Sequence, residues 1–441
     1  RPLRWPLTAG AGRFSLRPPP GRSPPALTPT AMPSSKPRPD ASSSADLPAD
    51  ALYEVLLRIP AKDLCRLRAV CPAWRALTHD PLFVAAHRSR HTTPLLAVAY
   101  QEDGNHNGVV ISDLSGNVVK RIPNTDYEVV LMKVMNHAAG RIYDSIRVVR
   151  TRLDRICFNW VVRSRAFSVL NPATGATISL PVGLSEELEH ELEGMIWRCR
   201  IESCAFGHVS STGGYKALRV SSIDDRQVSE VITFDDTNHG CWRRKQDPPS
   251  SICTGRKVRC VVVDVVVYFL MDYNSTYNES GVMTIEPGSM ASFNLETEEW
   301  GVLPGPEQVQ RFVQENNAYN YSELEFRLSL AELDGCLVVV HNIHYKSMDL
   351  WFLTDFEKGT WVKRYSMPSH VARPYRYPFL MLDGGRIFFS GSNGRQGLFS
   401  VGEQGEEFVR SYDSRSDTYS DVLKLKDSRS ISSYTGSLLS L

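Results

Sequence analysis

The side chains best equipped for chemistry in this chain are scattered. His341 and His344 lie three residues apart. On a strand that spacing sends them to opposite faces, so they do not converge on one metal. Asp235-Asp236 and Glu298-Glu299 are paired carboxylates of the kind general acid/base catalysis uses. Both pairs fall in polar turns, where solvated carboxylates are ordinary occupants. Arg243-Arg244-Lys245 is a short basic run that could meet a phosphate or act as an import signal, and it reads first as a solvated face. The sequence has no GxSxG turn, no phosphate-cradling glycine loop and no HExxH helix. We therefore expect no catalytic centre, no cofactor and no metal in this chain.

Composition narrows the classes further. A chain of 441 residues has room for two or three domains. The formal net charge of +1 gives no whole-chain field that favours nucleic acid or an acidic membrane. The longest apolar run, residues 261–270, is broken by Asp264 and is too short to span a bilayer. Nine cysteines without a CxxC pair suggest reduced thiols, and so a cytoplasmic or nuclear protein. Neither nucleic acid nor membrane is an expected partner.

Eleven prolines and seven basic residues precede the first acidic residue, Asp40. Such a segment cannot bury a core and is expected to be disordered. Its Arg-rich, acid-poor character also suits a transit peptide, but dense prolines oppose the amphipathic helix that one needs. Met32 is a candidate start, with residues 1–31 then lying upstream of it.

Helical signals begin next. Asp46 can cap a first helix with Pro48 near its first position. Leu52, Val55, Leu56 and Ile59 follow at i, i+3, i+4, i+7, and Pro60 ends the run. A second helix is expected over 62–69, with Leu64, Leu67 and Val70 on one side. Pro72 opens a third that carries Trp74 and Leu77, and Asp80-Pro81 start a fourth with Leu82, Phe83 and Ala86. A unit of roughly 40 residues usually needs a staple or a partner to be stable. This one has neither a disulfide framework nor metal-ligand spacing, so a protein partner is the expected support.

Leu47-Pro48, Glu54-Val55-Leu56, Arg58-Ile59-Pro60, Leu64, Arg66, Val70-Cys71, Trp74-Arg75, Leu77 and Asp80-Pro81-x-Phe83 together resemble the plant F-box motif. Pro72 departs from the Lys usual there, which bears on where the third helix starts, and Tyr53 stands where Leu is frequent. The resemblance implies contact with the Skp-type adaptor of a cullin-RING ubiquitin ligase. The residues it implicates are Leu47, Pro48, Leu52, Val55, Leu56, Ile59, Pro60, Leu64, Val70, Cys71 and Trp74.

From about residue 92 the helical period gives way to short β-rich runs. A unit recurs as ISDLSGNV, LNPATGATI, FDDTNHGCW, FNLETEEW, LTDFEKGTW and YDSRSDTY. Its closing residues are Val118, Ile178, Trp242, Trp300, Trp361 and Tyr419, spaced by 60, 64, 58, 61 and 58. A steady period in an all-β chain points to a propeller. Six blades are expected first and seven second, with a twisted β-sandwich array as the alternative.

SVLNPATGATISLP, CAFGHVSSTGGYKALRV, SFNLETEEWGVLP, LAELDGCLVVV and DLWFLTDFEKGTWVKRYSM resemble the F-box-associated β-propeller region of plant F-box proteins, over most of residues 95–425. Val263-Asp264 stands where the family often has Asn-Gly, which leaves one hairpin turn in question. The expected architecture is α+β and multidomain. A disordered segment (1–45) precedes a helical F-box bundle (46–90), a mostly β propeller (91–425) and a tail (426–441).

Two segments interrupt the repeat. Residues 185–194, SEELEHELEG, hold five Glu, and Leu184, Leu188 and Leu192 follow at helical spacing. Residues 304–323 are long, polar and Tyr-bearing. Both are expected on propeller loops and not between blades. Glu187, Glu191, Tyr319 and Tyr321 are the candidate contacts for a target protein, with a basic segment of it as ligand. The expected function is substrate recognition within a Skp–cullin–F-box ubiquitin ligase. The alternatives are a scaffold outside any ligase, and a propeller enzyme or a small-ligand or glycan binder.

Overall fold

The computed structural model describes residues 49–91, 93–101, 107–123, 146–148, 155–160, 167–193, 199–224, 226–235, 240–253, 260–272, 285–315, 327–343, 346–368, 377–382, 385–392, 407–425, 428–436 and 439. Four short helices come first: α1 (Ala49–Leu56), α2 (Ala61–Leu67), α3 (Pro72–His79) and α4 (Pro81–Arg90). Prolines punctuate them as the sequence suggests. Pro60 is the N-cap of α2, and Pro72 and Pro81 each open a helix. Pro72 takes the first helical position, where its missing N–H costs little, so it fixes the start of α3. Asp46 and Pro48 lie outside the described residues.

The strands form six four-stranded antiparallel sheets. β1 (Leu95–Gln101), β2 (Asn107–Ser112) and β3 (Val118–Pro123) begin the first sheet. The second is β4 (Ile146–Val148), β5 (Ile156–Trp160), β6 (Phe167–Leu170) and β7 (Thr177–Ser179). The helix α5 (Glu186–Glu191) leads to the third, β8 (Cys199–Val209), β9 (Gly214–Ile223), β10 (Arg226–Phe234) and β11 (Arg243–Lys245). The fourth is β12 (Val261–Val263), β13 (Val266–Leu270), β14 (Met290–Asn294) and β15 (Glu299–Leu303). Then α6 (Glu307–Glu315) precedes the fifth, β16 (Leu328–Leu333), β17 (Cys336–Ile343), β18 (Ser347–Asp355) and β19 (Thr360–Pro368). The sixth is β20 (Tyr377–Leu382), β21 (Arg386–Ser392), β22 (Glu407–Asp413) and β23 (Thr418–Leu425).

The first strands of successive sheets lie beside one another, as β8 with β12, β12 with β16, and β16 with β20. The sheets are therefore the blades of a six-bladed propeller, with those strands innermost. The last strand, β24 (Ser428–Tyr434), pairs antiparallel with β1, Tyr434 opposite Leu95. It supplies the inner strand of the blade that β1–β3 began. Main-chain hydrogen bonds between distant parts of the chain thus close the ring, with β24 as the inner edge of the closing blade.

The repeat in the sequence is the blade. Val118, Ile178, Trp300, Trp361 and Tyr419 lie in the outermost strands of their blades, and Trp242 immediately precedes one. Each follows an Asx turn where that turn is described. Asp113, Asn171, Asn294, Asp355 and Asp413 accept backbone N–H bonds from residues two to four further on. The three tryptophans stitch neighbouring blades. Trp242 Nε1 donates to Pro181 O at 2.7 Å, Trp300 Nε1 to Gln246 O at 2.9 Å, and Trp361 Nε1 to Pro304 O at 2.9 Å. Each acceptor lies one or two residues past the outer strand of the preceding blade. The apolar core is laid down between blades. Phe167 and Val169 meet Phe206 and Ile232, for example, while Val338 and Phe352 meet Ile387 and Phe389. The hairpin at Val263-Asp264 forms, with Asp264 itself in the left-handed region at φ 54°.

One buried ion pair reinforces the third blade. Arg219 and Glu230 are both without solvent exposure and 2.7 Å apart. Arg219 also donates to Gly183 O at 3.0 Å and stacks 4.0 Å above the Trp242 ring, while Glu230 accepts Ser185 N at 2.7 Å. The pair thereby fastens the entry of α5 to the blade.

Both interrupting segments are helical. α5 buries Leu188 together with Leu184 and Leu192 against Cys199, Ile223 and Val228, as the leucine spacing implies. Residues 304–323 correct the expectation of an exposed loop. Residues 307–315 form α6, and Val309 and Val313 enter the core between the fourth and fifth blades. Val309, Phe312 and Val313 at i, i+3, i+4 carry that burial, a short apolar stripe within a polar run. Tyr319 and Tyr321 lie outside the described residues.

Candidate functional site

The helical unit is organised around Leu56, Leu64 and Phe83, all fully buried, with Thr78 and His87. Asp80 accepts Leu82 N at 2.7 Å and Phe83 N at 3.2 Å, which starts α4 and aims Phe83 inward. An aromatic column runs from Tyr53 through Phe83 and His87 to His91. The last two rings stack 4.1 Å apart. His87 Nε2 donates to Ile59 O at 2.8 Å and His91 Nε2 to Leu57 O at 3.0 Å, so α4 satisfies carbonyls left open beyond α1. Burial pushes the His87 pKa below its usual value, the bond to Ile59 opposes this, and His91 adds to it.

The expected partner contacts divide. Val55 and Val70 are exposed, Pro60 is exposed, and Leu52, Ile59, Cys71 and Trp74 are half-buried. Leu56 and Leu64 are fully buried, which corrects their placement on the partner face. They hold the helices together from within. Leu47 and Pro48 lie outside the described residues. Leu82, read on the fourth helix but not among the partner contacts, is 78% exposed, and the histidine pair was not anticipated. Phe83, His87 and His91 recur every four residues along α4, a signal that was there to be read.

The unit meets one end of the propeller. Leu95 and Tyr434 lie side by side, so the helices that lead into β1 and the tail that leaves β24 share that end. Arg68 clamps them, donating to Thr78 Oγ1 at 3.3 Å, Thr78 O at 3.2 Å and Leu439 O at 2.9 Å. No sequence pattern announces the Leu439 contact. Lys120, near Arg68, spans two blades by donating to Pro172 O at 2.6 Å and Ala173 O at 2.7 Å. Burial lowers its pKa, and Arg68 lowers it further against the opposing effect of Cys65. The connections that carry α5 and α6 run from an outermost to the next innermost strand, and so leave the ring at the opposite end. Glu187 is exposed there, and Glu191 pairs with Arg226.

No group of three or more His, Cys, Asp or Glu is placed to hold a metal among the described residues. No helix there is long and apolar enough to cross a membrane.

Comparison with known proteins agrees with this geometry. The F-box associated beta propeller domain matches residues 118–390, and the F-box domain matches residues 45–85. The chain belongs to the F-box-associated β-propeller family and carries an F-box ahead of the propeller. Among its relatives is the F-box/kelch-repeat protein At3g23880 of Arabidopsis thaliana. The two are 25% identical over 366 residues, 80% of this chain and 90% of the relative. The F-box protein At1g30790 of the same plant is 23% identical over 72% of this chain and 74% of its own length. A solved Aleuria aurantia lectin superposes with a TM-score of 0.34 at 8% identity, covering 77% of this chain and 97% of the lectin. At that similarity nothing about activity follows.

Proposed function

We propose that the chain is the substrate-recognition subunit of a Skp–cullin–F-box ubiquitin ligase. The observation that carries the reading is an F-box unit whose Val55, Val70 and Leu82 stand in water at 45%, 61% and 78% exposure. A small helical unit that leaves such side chains uncovered invites a partner, and for an F-box that partner is a Skp-type adaptor. On this reading the chain catalyses nothing. Its propeller holds a target while the adaptor and cullin bring the ubiquitin-loaded enzyme, and tethering makes lysine attack effectively intramolecular. The end of the ring with α5 and α6, facing away from the helical unit, is our candidate for target capture. Its exposed carboxylates suit a basic segment.

Calorimetry with a Skp-type adaptor tests the proposal. Interface anchors typically cost about 2 kcal/mol or more on removal, so Val55→Asp with Val70→Asp should weaken binding well over about tenfold. Both positions are exposed, so the unbound fold should survive. Wild-type chain that fails to bind the adaptor, or a double variant that binds undiminished, would refute the reading.

A further inference from the structure

The basic run Arg243-Arg244-Lys245 does not behave as one face. The three side chains alternate along β11. Arg244 turns to Asp247 and to Ser229 O, whereas Arg243 and Lys245 reach across to Glu298 of the next blade. Lys216, near the start of β9, joins them, with N–O distances to Glu298 of 2.7 Å from Lys216, 2.7 Å from Arg243 and 2.5 Å from Lys245. Burial works against ionisation of Glu298, but hydrogen bonds from Lys216, Lys245 and Arg243 outweigh it and hold its pKa at about 2. The carboxylate is therefore charged under any physiological condition. Among the described residues of the cluster, three cations meet one carboxylate, so positive charge is in excess there.

A cavity of about 370 Å³ opens on this cluster. Besides Lys216, Arg243 and Glu298 it is lined by Thr212, Thr233, Gly240 and Cys241. A Cβ at Gly240 would lie 2.5 Å from Thr233 O, so that wall keeps its shape only with glycine. Arg243 is the adaptable member: its side chain is 47% exposed, while Lys216 is 8% exposed and fixed. Asp235 and Glu296, acidic residues of the flanking turns, do not line the cavity.

We propose that this cavity binds a single phosphate monoester carried on a protein segment. A phosphorylated side chain brings about −1.5 to −2 charges at neutral pH, which suits a lining where Lys216 and Arg243 outnumber Glu298 and Lys245 lies behind it on the same carboxylate. Arg243 supplies a guanidinium fork, and the Thr233 hydroxyl, which accepts from Arg243, keeps its own proton to donate, whereas the Thr212 hydroxyl is given to Val209 O. Nucleic acid would need a track of cations along its backbone. Here the neighbouring Arg244 is turned away and paired with Asp247, so the charge is a point and not a track. The site lies on the ring end that carries the helical unit, because Thr212 and Gly240 belong to the first-to-second and third-to-fourth strand connections of their blade. It does not depend on adaptor binding.

Cys241 and Cys65 are both exposed thiols, and only Cys241 lines the cavity. Labelling of the full chain by N-ethylmaleimide, followed peptide by peptide with mass spectrometry, therefore carries its own control. The probe is N-acetyl-O-phosphoserine amide at constant ionic strength. When the probe exceeds its Kd about tenfold, Cys241 should react about tenfold more slowly, with Cys65 unchanged. N-acetylserine amide should give no protection, and Arg243→Gln and Lys245→Gln should each weaken protection by phosphoserine. Absence of protection in the wild-type chain would overturn the proposal. So would equal protection by chloride, equal slowing of Cys65, or full protection in both variants. Protection by a single-stranded oligonucleotide and not by phosphoserine would overturn it in favour of nucleic acid. The adaptor is absent throughout, so no outcome bears on the adaptor reading.

Discussion

In the helical unit, three large apolar side chains stand more than two-fifths exposed within residues 49–90: Val55, Val70 and Leu82. The propeller, several times longer, exposes five among its described residues: Val118, Val182, Val302, Phe356 and Val362, all on outer strands or the connections beside them. The ring hides its apolar surface by packing each blade on the next and by closing through β24. Four short helices have no such means. Their core is little more than Leu56, Leu57, Leu64, Phe83 and the His87 ring, and surface remains over for a partner. One unit is finished by its own closure, and the other is arranged to be finished by something else.

The largest expected effect tests the ring. Arg219→Ala strands Glu230 in a fully buried site and removes the cation above Trp242. Breaking one side of a buried pair costs about 3–5 kcal/mol, so the urea midpoint of the propeller should fall sharply. Replacing both partners with Met should recover much of the loss. A single variant as stable as the wild type would mean that α5 and its blade are held by other contacts.

Trp242→Phe comes next. It keeps most of the buried ring but removes the Nε1–H that Pro181 O receives. A fully buried carbonyl left without a donor costs about 1–3 kcal/mol, and the half-buried Pro181 O should fall at the lower end of that range. The same substitution at Trp361, whose indole bond to Pro304 O is exposed, should cost less. Equal losses at the two positions would show that the inter-blade stitch does not depend on burial.

These stitches also show what was legible. The blade period could be read because an aromatic or apolar residue closes each outer strand, and a fixed role leaves a fixed residue type at a fixed interval. The F-box helices could be read because Pro60, Pro72, Asp80 and Pro81 act locally. Orientation within the helices was harder. Leu52, Val55, Leu56 and Ile59 form one periodic stripe, and only the packed structure turns Leu56 inward and leaves Val55 out. The Glu298 cluster could not be read at all, because Lys216 and Arg243 lie 82 and 55 residues from the carboxylate they share. Glu298 was legible as half of a carboxylate pair in a turn, but not as the buried partner of three cations.

Acid should separate the helical unit from the Glu298 cluster. His87 has its pKa lowered in the folded unit, so the unfolded chain takes up a proton more readily. Stability from neutral His87 is complete above the ordinary value of 6.5 and is lost as pH falls through it. Glu298 is the opposite kind of group, a carboxylate held at about 2 against an ordinary 4.5. Its contribution is complete above 4.5 and is lost only as pH falls towards 2. Hydrogen exchange read by mass spectrometry should therefore show α1 and α4 loosening in mild acid while β9, β11 and β15 remain protected. Amides of β9, β11 and β15 that loosen before those of α1 and α4 would reverse that order. β17 is no part of the comparison, because burial lowers the pKa of its His341 to about 4 and its contribution is lost in the same mild-acid window as that of His87.

The smallest effect compares the same chemistry in both places. Asp80 Oδ1 captures two backbone amides at the start of α4, and Asn294 Oδ1 captures Glu296 N at 2.8 Å and Thr297 N at 3.2 Å in a blade turn. Losing a helix N-cap costs about 1 kcal/mol. Asp80→Ala should cost that much and should spread, because α4 carries Phe83 and His87 into the centre of a unit with few other contacts. Exchange should rise across α1, α2 and α4 together. Asn294→Ala removes equivalent bonds, yet β14 and β15 remain paired beside it, with Phe293 opposite Trp300. Its consequence should stay within residues 295–298 and leave the propeller midpoint unmoved. If Asn294→Ala lowered that midpoint as far as Asp80→Ala loosens the helices, ring closure would not be what shields the blades from local damage.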